Sequence, residues 1–337
     1  MSEIAAYRLL LASLALATGI LFALSLMVGP AGIAFSDSLR ALVLGGGGDE
    51  TREAMALVMR EIRLPRALLG LGIGASLGLS GAVLQGLLRN PLAEPGLLGV
   101  SASASLGAVL AIYTGLSAAV PLGLPLAALA GAVIAVLVVQ AMAGGGGTLA
   151  IILAGVAVSS FAAAMTSLTL NLSPNPFAAL EIVFWMLGSL SDRSMTHVWL
   201  AGPFIVVGCV VLFRLGPALD ALTIGNDGAR SLGVNVARVR LFAILGTASA
   251  VGGATAVAGA IGFVGLVVPH LLRPLVGAVP SRLLPASALG GAVMVLAADV
   301  AVRLIAPDRD LKLGVLTSIV GAPFFLWLVW RARREQA

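Results

Sequence analysis

Leu241 to Leu272 reads LFAILGTASAVGGATAVAGAIGFVGLVVPHLL and carries no charged side chain. A helix needs about 20 apolar residues to cross a bilayer, so the run is too long for one span and is divided at Gly259-Ala260. A second uncharged run covers residues 95–180, with breaks at Gly115 to Pro125 and at Gly144 to Thr148. Working outward from these, ten spans are expected: 9–29, 67–88, 97–115, 119–142, 149–171, 197–214, 240–258, 261–278, 285–305 and 314–331. Hydropathy alone also permits nine, because two of the divisions rest on glycine and proline signals. Arg8 followed by Leu9 to Val28 could pass for a signal peptide, but the stretch is long for one and is expected to be a retained first helix.

The whole 337-residue chain agrees with that reading. It is 59% apolar and 10% charged, against about 25% charged in a soluble domain. Such a chain lacks the polar surface to cover a globule in water. The 42 glycines are scattered through apolar runs, where small residues let helices approach closely in lipid. Of the 20 basic residues, Lys312 is the only lysine. The arginines sit at the ends of spans rather than among aromatics, which fits membrane topology and not nucleic acid. Cys209 is the single cysteine, so no internal disulfide and no cysteine-based metal site can form.

With both termini in the cytoplasm, Arg8, Arg89, Arg214, Arg230, Arg238, Arg240, Arg273, Arg282, Arg331, Arg333 and Arg334 lie inside, 11 basic residues against 9 outside. The outer ones concentrate between Phe35 and Arg66, beside Asp37, Asp49, Glu50, Glu53 and Glu61. The C-terminal arginines give the clearest inside signal. A weak repeat relates Arg63 to Leu92, which ends LLRNPL, to Arg240 to Leu275, which ends LLRPL. The units start five spans apart, so they would be inverted, a common transporter plan. Chance likeness of two Gly/Ala-rich spans is the other reading.

Several chemistries are missing. A P-loop needs G-K-[ST], and Leu311 precedes the only lysine; Gly45 to Gly48 and Gly144 to Gly147 read as flexible loops. No HExxH, GxSxG or paired-carboxylate motif appears, so an enzyme is not expected. Asp299 is the one acid well inside a span, four residues before Arg303, a spacing that pairs them on one helix face. It reads as a structural ion pair or, in a second functional class, as the coupling site of an ion-driven secondary transporter. A membrane scaffold that transports nothing is a third class. The irregular Asn90-Pro91, where proline disfavours helix at the residue before it, argues against that.

Three long strings are more specific. Arg63-Leu64-Pro65-Arg66 is followed by SGAVLQG (80–86) and RNPLAEPGLLGVS (89–101); GAIGFVGLVVPH (259–270) and GVLT (314–317) through GAPFF (321–325) complete the set. In this order, and over essentially the whole chain, they resemble the FecCD permeases, the ABC importers for iron-siderophores, haem and cobalamin. The resemblance implies an all-α polytopic protein of about ten helices with type II importer architecture. It would be a single permease domain over 1–337, with approximate halves 1–200 and 201–337. Implied partners are a second permease copy, a homodimer or a close heterodimer, two cytoplasmic ATPase subunits and a periplasmic binding protein, all at a bacterial inner membrane. ATP would then be bound by a partner, with no cofactor or metal on this chain. The expected cargo is an iron chelate, a ferric siderophore or haem, with cobalamin as the alternative. His197 and His270 are the only histidines and form no ligand set.

The resemblance also assigns residues. Arg63, Arg66 and Arg303 match arginines that receive binding-protein carboxylates, a strong and directional pairing. Snorkelling at the lipid interface is the alternative, and Asp299 competes for Arg303. Asn90 and Leu92, with Thr148 and Leu149, match inner gate positions, although Thr148 equally suits a loop or a helix cap. Leu149 departs from the small polar residue of the cobalamin permease. The polar segment 220–240 matches the coupling helices that dock in the ATPase, with Arg230, Ser231, Leu232, Gly233, Val234 and Arg238 at the contact. Family members usually carry Glu-Leu-Pro before the Gly-Val-Leu-Thr string. Here the chain reads Asp310-Leu311-Lys312-Leu313.

Overall fold

The computed structural model describes residues 3–29, 40, 50–144, 147–173, 175–306, 309 and 311–334. Asp37, Asp49, Asp310 and Gly45 to Gly48 lie outside them, as do the side chains of Arg331, Arg333 and Arg334. The chain runs through α1 (Glu3–Met27) and α2 (Glu50–Leu57), which continues by a π-helical turn (Val58–Arg63) into α3 (Leu64–Leu88). A 3-10 turn (Pro95–Leu98), α4 (Val100–Tyr113), α5 (Leu116–Ala119), α6 (Gly123–Ala143), α7 (Thr148–Asn171) and α8 (Pro176–Met186) follow. The remainder is α9 (Met195–Phe213), α10 (Gly216–Leu222), α11 (Asn226–Ser231), α12 (Val236–Ala258), α13 (Val264–Leu272), a 3-10 turn (Arg273–Val276), α14 (Pro280–Ile305) and α15 (Leu313–Arg334).

Seven helices among the described residues are long and apolar enough to cross a membrane: α1, the continuous α2–α3, α6, α7, α9, α12 and α14. The shorter apolar helices α4, α13 with its 3-10 turn, and α15 occupy the three remaining expected spans. Two details differ from the sequence reading. The expected span 261–278 is a half-length helix that starts only at Val264, after a non-helical link in which Phe263 adopts a left-handed φ of 67°. An eleventh apolar helix, α8, lies between two expected spans. Asn175 opens it, its side chain accepting from the Phe177 N–H at 2.9 Å, with Pro176 in the first turn.

The most extensive helix pairing is α3 against α14. Gly74 and Gly78 of α3 face Gly291 and Ser287 of α14. A Cβ on Gly78 would overlap the Ser287 carbonyl, and one on Gly291 would overlap the carbonyl of Gly74. The backbones therefore touch without intervening side chains, the arrangement that drives helix association in lipid through packing rather than through hydrophobicity. Further along, Gly81 of α3 meets the backbone of Gly265 in α13. Among the described residues α3 and α12 are the two most deeply buried spans. The first repeat unit runs as one continuous helix to Leu88, whereas the second is broken between α12 and α13.

Candidate functional site

Functional candidates fall at the two ends of the α3–α14 pair. At the end where α14 finishes and α3 begins, called the upper end below, Asp299 is 1% exposed. Its Oδ1 accepts from Arg66 Nε at 2.8 Å and its Oδ2 from Arg303 Nη2 at 2.6 Å. The i,i+4 pair expected from the sequence is therefore present, and it is extended by Arg66 of α3. Pro65 sits in the first turn of α3, as expected.

The last turn of α1 lies against the same cluster. A helix leaves its final carbonyls without intrahelical donors and ends with a partial negative charge. Arg303 Nη1 donates to the carbonyls of Ser25 (2.9 Å) and Val28 (2.6 Å), while its Nη2 also reaches Ser25 Oγ at 2.8 Å. Arg63 Nη1 donates to the carbonyls of Leu26 (2.9 Å) and Met27 (3.0 Å). Arg63 was expected to face a partner or the lipid interface. It is instead 4% exposed and turned onto α1. Arg66 and Arg303 line an open cavity of about 810 Å³ with Ser191, Asp192 and Arg309. Leu311, within the stretch where the resemblance implies Glu-Leu-Pro, lines the same cavity. Lys312 Nζ sits 5.5 Å from the ring centroid of Phe184 on α8, a cation–π contact.

At the lower end, α3 stops at Leu88 because Arg89 takes a left-handed φ of 48° and Pro91 cannot continue the helix. The Asn90 side chain closes the turn by accepting from the Leu92 N–H at 2.9 Å. Leu92 and Pro91 line a cavity of about 630 Å³ with His270, Arg273, Phe324 and Trp327, so the non-helical backbone does border a cavity. Thr148 and Leu149 are not among its walls. Thr148 is the first residue of α7 after the cap Gly147, and Leu149 is exposed. A buried network that the sequence did not suggest holds this end together. Gln85 accepts from Arg273 Nη2 at 2.8 Å and donates to the carbonyls of Gly265 and Leu266 at 3.4 and 3.3 Å.

The segment 220–240 folds as the end of α10, then α11, then the start of α12. Arg230 and Asp227 pair at 3.0 Å on an exposed surface, and the Ser231 hydroxyl donates to the Asp227 carbonyl at 3.0 Å. Gly233 has a φ of +82°, and its N–H closes the helix end onto the Arg230 carbonyl at 2.9 Å; the Val234 N–H reaches the Ala229 carbonyl at 3.0 Å. Nothing lies within 4 Å of a Cβ built on Gly233, and Leu232 is 66% exposed. Asn235 caps α12 by accepting from the exposed Arg238's N–H at 3.0 Å. The outcome is a short helix with a projecting turn of small, apolar and basic groups.

Neither histidine joins a ligand set. His197 Nδ1 accepts the Ser194 N–H at the start of α9, and His270 packs edge-on to Phe324. Among the described residues no group of three or more His, Cys, Asp or Glu is gathered. Cys209 is half-buried in α9.

Comparison with known proteins supplies independent findings. The FecCD transport family matches residues 17–331. The hemin transport system permease protein HmuU of Yersinia pestis is 36% identical over 292 residues, covering 85% of this chain and 87% of its own. The Fe(3+) dicitrate transport system permease protein FecD of Escherichia coli is 38% identical over 277 residues, 82% and 86%. The vitamin B12 import system permease protein BtuC of Citrobacter koseri is 37% identical over 281 residues, 82% and 84%. Among solved structures, an inward-facing ABC transporter of the type named for metal chelates superposes with a TM-score of 0.83 at 31% identity, over 95% of this chain and 98% of that one.

Proposed function

Because the chain belongs to the FecCD transport family of ABC importer permeases, we propose that it is the membrane path of a binding-protein-dependent importer for an iron chelate. A ferric siderophore or haem would be the cargo, with cobalamin as the alternative. The relatives named for ferric dicitrate and hemin carry this reading. The chain would hydrolyse nothing itself. ATP would be bound and cleaved by two cytoplasmic subunits, and a periplasmic binding protein would deliver the cargo. A second copy would complete the path. The unpartnered apolar faces of α7, α8 and α15, with Phe161, Phe177 and Leu326 at least 64% exposed, suit such a neighbour as well as lipid.

On this reading the upper end faces the periplasm, and both termini lie in the cytoplasm of a bacterium with its inner membrane around the bundle. Arg66 and Arg303 border the upper cavity and would receive carboxylates of the binding protein. Arg63 would join them only by leaving the carbonyls of Leu26 and Met27. Asn90, Leu92, Thr148 and Leu149 would form the inner gate. Arg230, Ser231, Leu232, Gly233, Val234 and Arg238 would enter the ATPase. The ion-driven alternative has no support from Asp299, because each of its oxygens already accepts from a guanidinium N–H.

Gly233→Trp tests the assignment. Its backbone strain is local, and its surroundings within the chain are empty, so the purified permease should still assemble and bind the periplasmic protein. Uptake into vesicles and stimulated ATP hydrolysis should fall at least tenfold. Normal uptake by this variant would make the segment a passive loop.

A further inference from the structure

The two ends described above are joined by a continuous set of short contacts through α3 and α14. At the top, Asp299 of α14 holds Arg66 of α3 at 2.8 Å. In the middle, Gly74 and Gly78 lie directly on Gly291 and Ser287, with no side chain between them to yield. At the bottom, α10 lies across both helices. Leu219, fully buried, sits where a Cβ on Gly86 of α3 would meet it at 3.5 Å. The next residue, Asp220, turns the other way, and its Oδ1 accepts the Ser281 N–H of α14 at 2.8 Å.

That last bond has a particular chemistry. Ser281 lies in the first turn of α14, where backbone N–H groups have no intrahelical acceptor and the helix carries partial positive charge. A carboxylate from a different segment fills that role, so α14 is capped by the very stretch that leads into α11. Gly216 of α10 also approaches Ser281 closely, a Cβ there falling 3.2 Å from the serine Cβ. By contrast, α11 is bonded mainly within itself and to its own flanks.

We propose that Asp220 is a positioning residue that fastens the ATPase-facing segment to α14, so that α3 and α14 act as one strut between the upper arginine cluster and that segment. The strut is about 37 Å long at 1.5 Å per residue over 25 residues. Packed helices with backbone contact shift as units rather than bending. A displacement of Arg66 or Arg303 by a docked protein would thereby reach α10 without crossing a compliant joint. This inference rests on the importer reading above and adds the residue through which the two faces communicate.

The test uses the assembled permease with its ATPase subunits, and the cargo-free binding protein as probe. The readout is the ratio of ATP hydrolysis with and without that protein, at equal permease–ATPase stoichiometry. Asp220→Ala should bring the ratio at least threefold closer to one, whereas Asp220→Asn, which keeps the acceptor oxygen, should retain at least half of the stimulation. Ser281→Pro removes the donor from the other side, in the first helical turn where that N–H has no intrahelical acceptor to lose. It should reproduce the Asp220→Ala result, and it decides the matter if Asp220→Ala does not assemble. A purely structural role would lower the yield or Tm of the variants and leave the ratio alone. An unchanged ratio in either disruptive variant, or equal damage in Asp220→Asn, overturns the strut while leaving the importer reading standing. No stimulation in the unsubstituted assembly overturns both.

Discussion

α3 and α7 are both apolar helices rich in small residues, yet one is the most deeply buried type of span in the molecule and the other shows most of its surface. α3 places Gly70, Gly74, Gly78 and Gly81 along its packed faces, and its neighbours approach to backbone contact. α7 carries Leu149, Leu153, Val156, Phe161 and Leu168 outward, each at least 46% exposed. In water, apolar content would bury both. In lipid, apolar surface has no reason to leave its solvent, and burial is decided by whether small residues recur at the helical spacing that lets backbones meet.

The sharpest way to break this contrast is Gly78→Leu. Its Cβ would overlap the Ser287 carbonyl, which belongs to backbone and cannot swing aside. Overpacking a fitted interior costs about 1–3 kcal/mol and sometimes more. This substitution should therefore abolish recovery of monodisperse protein or lower its Tm in detergent by well over 5 °C. An unchanged Tm would mean the seam does not hold the fold.

Asp299→Ala asks how much of the same pairing depends on charge. Removing one partner from a buried ion cluster costs about 3–5 kcal/mol, and Asp299 is 1% exposed. Because Arg303 keeps its bonds to α1, the loss should fall toward the lower figure, with Asp299→Asn milder still. Thermal unfolding of the two variants side by side checks the order; equal, negligible losses would leave the packing of glycines as the whole explanation.

The exposed side of the molecule should respond least. Lys312→Ala removes the cation above Phe184, whose ring is 53% exposed. The expected cost is about 0.5–1 kcal/mol, visible as a Tm shift of a degree or two. A larger loss would show that Lys312 holds this end of the chain by more than the ring contact.

The legible parts of the molecule were those written in local sequence. Apolar runs with few or no charges mark the ten expected spans, and the spacing of Asp299 and Arg303 announces their pairing. What stayed hidden depends on distant parts of the chain. Hydropathy cannot distinguish a full span at 261–278 from the half-length α13, because the residues of the preceding link are as apolar as the helix itself. α8 was missed since its 11 residues are too few for a span. Arg63 has the sequence of a surface arginine, and only the arrival of α1 beside it, 36 and 37 residues away, turns it inward. Arg66 finds Asp299 across 233 residues, a separation that no spacing rule reaches.

The clasp on the end of α1 also has a history written into it, because ribosomes deliver its two arginines at very different times. α1 is made first, and Arg63 follows within a few dozen residues. Arg303 lies 278 residues after Ser25, which at about 5–20 residues per second is roughly 14–56 s of synthesis. For most of that interval Arg63 is present to meet the carbonyls of Leu26 and Met27, while the side chain that holds those of Ser25 and Val28 is not yet made. Arg63 is thus on hand early in synthesis, whereas Arg303 can join the end of the first helix only after the ninth expected span has been made.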